Sequence, residues 1–144
     1  MTILPLEEKH IEKICALNER CFNDGWNENQ LRSAFSGGIF YAFGAFDGDD
    51  LIAAITFSVS FESADLEGIV TADEYKRQGV ATLMLSKAEI ALKDKGVNKI
   101  LLEVRRGNVV AQAFYEKSGF KVISTRKSYY NDGEDALVML KELL

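Results

Sequence analysis

The 144 residues of the chain include 17 lysines and arginines and 22 aspartates and glutamates, for a formal net charge of −5, and 47% of them are hydrophobic. This size and composition predict one globular domain over residues 1–144, and an acidic chain is not expected to bind nucleic acid directly, because that needs a basic face. No apolar run reaches the roughly 20 residues of a membrane span, and Glu7 and Glu8 lie where a signal peptide would be apolar, so a cytoplasmic protein without membrane contact is expected.

The first part of the chain predicts a strand and two helices. Thr2 to Pro5 is strand-like, and apolar residues at helical spacing from Ile11 to Phe22 predict an amphipathic helix that ends at Asn23-Asp24-Gly25. Asn27 fits the N-cap of a second helix, which ends at Gly37-Gly38.

Three residues around these helices have both a structural and a functional interpretation. Trp26 is either a core anchor or one wall of a substrate groove between the two helices. Cys15 and Cys21 lie six residues apart without a CxxC motif, which favours small core residues over a disulfide or a metal site.

The middle of the chain predicts an antiparallel meander. The strand-like runs are Phe40 to Phe46, Leu51 to Val59 and Ala64 to Thr71, and Asp47-Gly48-Asp49-Asp50 forms the first turn. A helix begins at Val80 and ends at Gly96, with its buried face predicted at Val80, Leu83, Met84, Ala88, Ala91 and Leu92.

The last part of the chain completes a mixed sheet. Lys99 to Val104 is a strand, and because a helix precedes it, it is expected to run parallel to the strand before that helix. A further helix, capped by Asn108 and ended by Ser118-Gly119, leads to two closing strands, Phe120 to Ser128 and Glu134 to Leu140. The sequence therefore predicts an α/β (α+β) fold with helices on both faces of a mixed sheet.

The junction from Tyr75 to Thr82 is the strongest candidate binding site. The first four N–H groups of a helix lack intrahelical acceptors, and the helix dipole adds partial positive charge at the same place. Gly79 leaves the backbone accessible, and Lys76 and Arg77 add full charges. The pattern fits a pyrophosphate site, although it also fits an ordinary helix start beside an exposed basic pair.

Glu103 is a carboxylate in an otherwise apolar strand. Alternation places it with Leu101 and Arg105, opposite Ile100, Leu102 and Val104. It is either half of an ion pair with Arg105 or Arg126, or a general base whose pKa is raised by partial desolvation.

Two residues of the following helix are further candidates. Tyr115 is either a core aromatic or a proton donor, because an ordinary tyrosine pKa near 10 is close to that of a thiol. Asn108 offers amide hydrogen-bonding groups just past the strand end, although capping the helix would explain it equally well.

Together these stretches resemble a known family. Lys76 to Ala81 resembles the (Gln/Arg)-x-x-Gly-x-(Gly/Ala) motif with which the GNAT superfamily of N-acetyltransferases binds acetyl-coenzyme A. More narrowly, Leu102 to Arg105, Phe114 to Phe120 and Tyr129-Tyr130 are similar to the ribosomal-protein-alanine N-acetyltransferase (RimI) branch. The resemblance implies the GNAT fold, a mostly antiparallel mixed sheet of about seven strands with about four helices, in which a parallel pair splays apart at the coenzyme.

The resemblance also implies roles for individual residues. Glu103 would accept a proton from the acceptor amine, and Tyr115 would donate one to the departing coenzyme A thiolate. Tyr129-Tyr130 and the Asp132-Gly133-Glu134 loop would border the peptide groove. Acetyl-coenzyme A, with no metal, would contact Ile69, Val70, Thr71, Arg77, Gln78, Gly79, Val80, Ala81, Thr82 and Asn108.

The sequence departs from the family pattern in the neighbourhood of this site. Lys76 stands where the family has Gln or Arg, which predicts weaker coenzyme binding because lysine lacks the planar fork of arginine. Ala72-Asp73 replaces the common Asp-Pro, and Gly25 stands where Pro often precedes the tryptophan.

The implied reaction is direct attack of a protein's N-terminal α-amine on acetyl-coenzyme A in a ternary complex. The best-supported acceptor is an Ala or Ser N-terminus of a small-subunit ribosomal protein. Acetylation of a lysine side chain or a small-molecule amine stays open, as does a non-catalytic acyl-coenzyme A binding module, which would need Gly79 but neither Glu103 nor Tyr115.

Overall fold

The computed structural model describes residues 1–21 and 25–144, in which seven strands form one sheet and four α-helices flank it. The strands are β1 (Thr2–Pro5), β2 (Phe40–Asp47), β3 (Asp50–Ser60), β4 (Ser63–Thr71), β5 (Lys99–Arg105), β6 (Lys121–Arg126) and β7 (Ala136–Glu142). The helices are α1 (Ile11–Arg20), α2 (Glu28–Ser36), α3 (Val80–Asp94) and α4 (Val109–Lys117), with short 3-10 turns at Glu8–His10 and Asp73–Tyr75. Phe22 and the predicted break at Asn23-Asp24 lie outside the described residues.

The sheet has the order β1-β2-β3-β4-β5-β7-β6. Its neighbouring strands are antiparallel except for β4 and β5, which are parallel. This confirms the predicted mixed sheet, including the parallel pair on either side of α3. None of the helices in the described ranges is long and apolar enough to cross a membrane.

The parallel pair of strands stays together over a short stretch only. β4 and β5 are paired from Ser63–Lys99 to Asp65–Leu101 and not beyond. On the other side of β4, the register with β3 shifts after Thr56, so that Leu66 and Gly68 have partners on β3 and Glu67 has none. Such a bulge increases the local twist of a strand. The result is a gap in the middle of the sheet, as predicted for the splayed pair.

Helices cover both faces of the sheet. On the face that we call the first, Phe40 of β2 stacks on Trp26 before α2 and meets Phe35 of α2 edge to face, with ring centroids 4.8 and 5.0 Å apart. On the second face, Lys95 at the end of α3 lies over the ring of Tyr41. α4 lies beside α3, where the two helices line a common cleft with Lys141 of β7. The site described below extends over both faces.

The buried side of α3 differs in part from the prediction. Its buried residues are Val80, Met84, Leu85, Ala88 and Leu92, whereas Leu83 is 42% exposed. The buried residues spaced by four, from Val80 to Leu92, lie in one row along the helix. Leu85 lies on the buried side of this row, and Leu83 lies on its exposed side. The prediction for Leu83 was therefore wrong, although the helix and its end at Gly96, where φ is +90°, were right.

Candidate active site

A cleft on the second face, which we call the amide cleft, lies between β4, the start of α3, and α4. It has a volume of about 350 Å³. Its lining includes Ile69 and Thr71 of β4, the turn from Lys76 to Thr82 except Gln78, and Phe114 of α4. The predicted pyrophosphate site and part of the predicted coenzyme-contacting strand therefore lie in one cavity.

The backbone of this turn offers a row of hydrogen-bond donors. The N–H of Lys76 donates to the carbonyl of Asp73 at 3.2 Å, and the N–H of Leu83 donates to the carbonyl of Gly79 at 3.0 Å. For the six N–H groups of residues 77–82 between them, no acceptor exists among the described residues. A row of free N–H groups at a helix N-terminus is an anion-binding arrangement.

Gly79 and Arg77 shape this row. Both have left-handed backbone conformations, with φ of +79° and +64°. A Cβ atom added to Gly79 would meet no atom within 4 Å, so a side chain there would project into open space at the row of donors. The positive φ and the close approach that the site allows together explain why glycine fits this position.

The three polar side chains of the turn are not equivalent. Lys76 forms an ion pair with Asp73 at 2.9 Å, and this hydrogen bond lowers the pKa of the Asp73 carboxyl. Gln78 donates its side-chain amide to the carbonyl of Glu74 at 2.9 Å. Arg77 has no such partner in the described part of the chain. The sequence predicted two available cations here, but only Arg77 keeps an unengaged charge.

A second cavity, the tryptophan pocket, opens on the first face. It has a volume of about 340 Å³, and Ile14, Trp26, Leu31 and Phe40 form its apolar wall. Its floor is β4 from Glu67 to Val70. Ile69 lines both this pocket and the amide cleft, so the two cavities meet where β4 leaves β5. Trp26 therefore packs on Phe40, as the core interpretation predicted, and it also lines a cavity, so its role in a substrate groove stays a prediction.

A third cavity, the carboxylate cleft, lies beside the tryptophan pocket over β4, β5 and the β6–β7 connection. It has a volume of about 390 Å³. Its polar lining residues are Asp65, Glu67, Glu103, Arg126, Tyr129 and Tyr130. The predicted proton acceptor and the predicted tyrosine pair therefore line one cavity.

Glu103 is held in this cleft by an arginine from another strand. Its Oε2 accepts a hydrogen bond from Nε of Arg126 at 2.9 Å, and 32% of its side chain stays exposed. Of the two ion pairs that the sequence left open, the structure contains the one with Arg126. The charge of Glu103 also raises the pKa of Tyr129. The Glu103 side chain is therefore partly buried, on the side of β5 that faces the open cleft.

Arg105 instead anchors the β6–β7 connection. Its Nη1 donates to Asp132 at 2.8 Å and to Glu134 at 2.9 Å, and its guanidinium lies 4.0 Å from the ring centroid of Tyr130. The other oxygen of Glu134 accepts the N–H of Gly107 at 2.8 Å. Asp132 and Glu134, expected to border the groove, therefore hold Tyr129-Tyr130 in place rather than line the cleft.

Tyr115 is packed between aromatic neighbours. Its ring meets Phe114 and Phe120 edge to face, with centroids 5.4 and 5.7 Å apart. Burial raises the pKa of Tyr115 to about 12. The expectation of an ordinary pKa near 10 was therefore wrong, because α4 and Phe120 shield the phenol from water. Phe114, and not Tyr115, belongs to the lining of the amide cleft.

Asn108 caps α4. Its Oδ1 accepts the N–H of Ala111 at 3.1 Å, which is the structural interpretation that the sequence offered. The side-chain NH₂ remains available as a donor.

The two cysteines are free thiols and partly buried. Burial raises the pKa of both thiols, which keeps them protonated near neutral pH and makes them poor nucleophiles. No group of three His, Cys, Asp or Glu side chains within residues 1–21 and 25–144 is arranged to hold a metal ion.

Comparisons with known proteins agree with this geometry. Residues 11–120 match the model of the acetyltransferase (GNAT) family. An N-alpha-acetyltransferase of Saccharolobus solfataricus is 43% identical over 76 residues, which cover 52% of this chain and 46% of that protein. The [ribosomal protein bS18]-alanine N-acetyltransferase of Escherichia coli is 30% identical over 141 residues, covering 96% and 95% of the two chains. A crystal structure of the ribosomal-protein-S18-alanine N-acetyltransferase from Escherichia coli superimposes with a TM-score of 0.87, covering 99% of this chain and 93% of that one.

Proposed function

The chain belongs to the acetyltransferase (GNAT) family, and we propose that it transfers the acetyl group of acetyl-coenzyme A to the N-terminal α-amine of a protein. The observation that carries the proposal is the row of six unengaged N–H groups at residues 77–82, beside the gap where β4 is no longer paired with β5. We treat residues 1–144 as a single N-acetyltransferase domain, and a connected cluster of buried side chains that includes residues from Leu6 to Met139 supports it.

The residues of the amide cleft fit acetyl-coenzyme A. The pyrophosphate would be held by backbone N–H groups, with the charge of Arg77 added. These N–H groups belong to Arg77, Gln78, Gly79, Val80, Ala81 and Thr82. Ile69, Val70 and Thr71 are paired with β3 but have no strand partner on the β5 side, where their backbone would bond the pantetheine arm, and the free NH₂ of Asn108 would add a donor. The bound molecule supplies the thioester that is attacked.

The chemistry asked of the protein is proton transfer and positioning. An α-amine has a pKa of about 7.7–8.0, so a mild base suffices to complete its deprotonation near neutral pH. In the proposed mechanism, Glu103 receives that proton through a water molecule as the nitrogen attacks, and an N–H of β4 near Val70 stabilises the oxyanion. Tyr115, protonated at neutral pH because its pKa is about 12, gives its proton to the thiolate.

The proposed acceptor is an Ala or Ser N-terminus of a small-subunit ribosomal protein. The support is the full-length similarity to the Escherichia coli enzyme that is named for alanine of ribosomal protein bS18. A ribosomal acceptor places the proposed activity in the cytoplasm, where such proteins are made.

The test is release of coenzyme A thiol with short peptides that begin with Ala, Ser or Met. The same peptides with a blocked N-terminus and an internal lysine serve as controls. We expect turnover of the free Ala and Ser N-termini that disappears on blocking. Turnover of the blocked lysine peptides, or of none of the peptides, would contradict the proposed acceptor.

A further inference from the structure

Glu67 lies where the two cavities of the first face meet. It lines the tryptophan pocket together with Gly68, Ile69 and Val70, and it lines the carboxylate cleft together with Glu103. It is the one described residue that belongs to both linings. The bulge in β4 gives it this position, because the register shift after Thr56 leaves Glu67 without a partner on β3.

Among the described residues, the carboxylate of Glu67 has no partner of its own. Glu103 is bound by Arg126, but within the described residues nothing forms an ion pair or hydrogen bond with Glu67. Its charge is nonetheless felt in the cleft, where it contributes to raising the pKa of Tyr129. Of the two glutamates, Glu67 is therefore the one with a charge available to a cationic ligand.

An acceptor peptide has to bring its α-nitrogen to this place. The thioester would reach the first face at the gap beside Ile69, which the amide cleft and the tryptophan pocket share. The apolar wall of the tryptophan pocket suits the side chain of the peptide's first residue, and the carboxylate cleft leads the following main chain past Tyr129. The nitrogen between those two parts of the peptide then lies at Glu67.

We propose, on the basis of the function proposed above, that Glu67 binds the α-ammonium of the acceptor and so selects a free N-terminus and positions its nitrogen. Glu67 takes no part in the proton transfer. The proton that the amine loses goes to Glu103 by way of water, and the thiolate receives its proton from Tyr115. Glu67 is thus a binding residue, and Glu103 keeps the proton-transfer role.

The first experiment compares peptide kinetics of the wild type and Glu67→Gln, which keeps the size of the side chain and removes its charge. With a peptide beginning in alanine we expect KM to rise about 10- to 100-fold, which corresponds to the loss of one charge-assisted contact. We expect kcat to change less than about threefold, since general acid and base are intact. Binding of coenzyme A by calorimetry should be unchanged, which also reports a folded amide cleft.

The matched control is Asp65→Asn. Asp65 lies two residues earlier on β4 and lines the carboxylate cleft but not the tryptophan pocket, and the substitution removes the same charge. We expect its KM to stay within about threefold of the wild type, because no contact to the ammonium is lost. An equal rise in KM for both variants would show a general effect of cleft charge and would overturn the proposal.

A second measurement isolates the ammonium itself. A peptide with propionyl in place of the N-terminal alanyl group lacks the nitrogen and is measured as a competitive inhibitor. Its inhibition constant should be the same for the wild type and Glu67→Gln. An unchanged KM in Glu67→Gln, a fall confined to kcat, or equal weakening of the propionyl peptide would overturn the role of Glu67. If the wild type turns over no free N-terminus, the proposed function itself has failed, and this inference falls with it.

Discussion

The amide cleft and the carboxylate cleft are built from different materials. The amide cleft offers the backbone of six consecutive residues, 77–82, at the start of one helix. The carboxylate cleft offers side chains from β4, β5, β6 and the connection after β6, held by ion pairs such as Glu103–Arg126. A site made of backbone N–H groups depends on the conformation of the chain, which most substitutions leave intact. A site made of side chains depends on the identity of each side chain. The contrast predicts different responses to mutation.

The largest effect is expected from Glu103→Gln in the carboxylate cleft. Loss of the proton acceptor should lower kcat about 10²- to 10⁴-fold, the usual contribution of a general base. Coenzyme A binding should not change, because the amide cleft lies on the other face of the sheet. Steady-state thiol release and calorimetry measure the two quantities. A variant with wild-type kcat would remove Glu103 from the mechanism.

The next effect concerns the backbone site. Gly79→Val places a branched side chain in a left-handed conformation at the row of donors, where φ is +79°. We expect coenzyme A to bind about 10- to 100-fold more weakly and the free energy of unfolding to fall by about 1–2 kcal/mol.

Gly38→Val is the matched control for Gly79→Val. Gly38 has φ of +77° and no atom within 4 Å of an added Cβ, but it lies after α2, away from the amide cleft. It should lose similar stability in urea denaturation and keep its affinity for coenzyme A. If coenzyme A binding weakened equally in both variants, the cause would be the loss of stability and not a change at the row of N–H donors.

Tyr115→Phe tests a side chain that belongs to the lining of neither cleft. Folding favours the protonated phenol, since the pKa of Tyr115 is about 12 in the folded protein against about 10 in an unfolded chain. That contribution is complete below pH 10 and is lost as pH rises toward 12, by about 3 kcal/mol over the whole range and roughly half of that by pH 11. The Tyr115→Phe variant has no phenol to titrate, so it does not lose this stability as pH rises.

Urea denaturation of the wild type and Tyr115→Phe at pH 9 and pH 11 measures the difference. The stability of the wild type relative to the variant should fall between the two values, and no change would mean that the phenol is less shielded than the structure has it. At neutral pH we expect about a tenfold lower kcat in the variant if Tyr115 is the proton donor.

The smallest effect is expected from Gly107→Ala, which disturbs the support of the carboxylate cleft. A Cβ at Gly107 would lie 2.6 Å from Oε2 of Glu134, so that this carboxylate has to leave the N–H of Gly107. Tyr129-Tyr130 would be held less firmly, and we expect KM for the peptide to rise a few-fold, about 1 kcal/mol or less in binding. Coenzyme A affinity should be unaffected. A change in that affinity would contradict the assignment of coenzyme A and peptide binding to separate clefts.

Local signals in the sequence predicted the elements well. Asn27 caps α2 with Gln30 as the return partner, Gly96 follows α3 with a positive φ, and alternation along β5 correctly separated Glu103 from Leu102 and Val104. Each of these depends on a few neighbouring residues. The amide cleft belongs to the same class, since a helix start with Gly79 is visible in one stretch of sequence.

What the sequence left open or missed depends on how distant elements align. The Glu103–Arg126 pair requires that β7 insert between β5 and β6, so that Arg126 reaches diagonally across β7. Glu67 was overlooked because its position depends on a register shift between β3 and β4 that no local pattern marks. The pKa of Tyr115 changed because Phe120, from the turn after α4, helps to bury it.

The gap between β4 and β5 has a consequence for self-association. A sheet of seven strands ordinarily has two edges, here β1 and β6, but this one adds two inner edges where residues 66–71 and 102–105 lack strand partners on their facing sides. Unpaired edges are where foreign strands add and where aggregation begins. A ligand that lies along the gap like a strand would therefore cover the two inner edges as well as serve as a substrate. We expect the protein to aggregate less in solution with coenzyme A than without it.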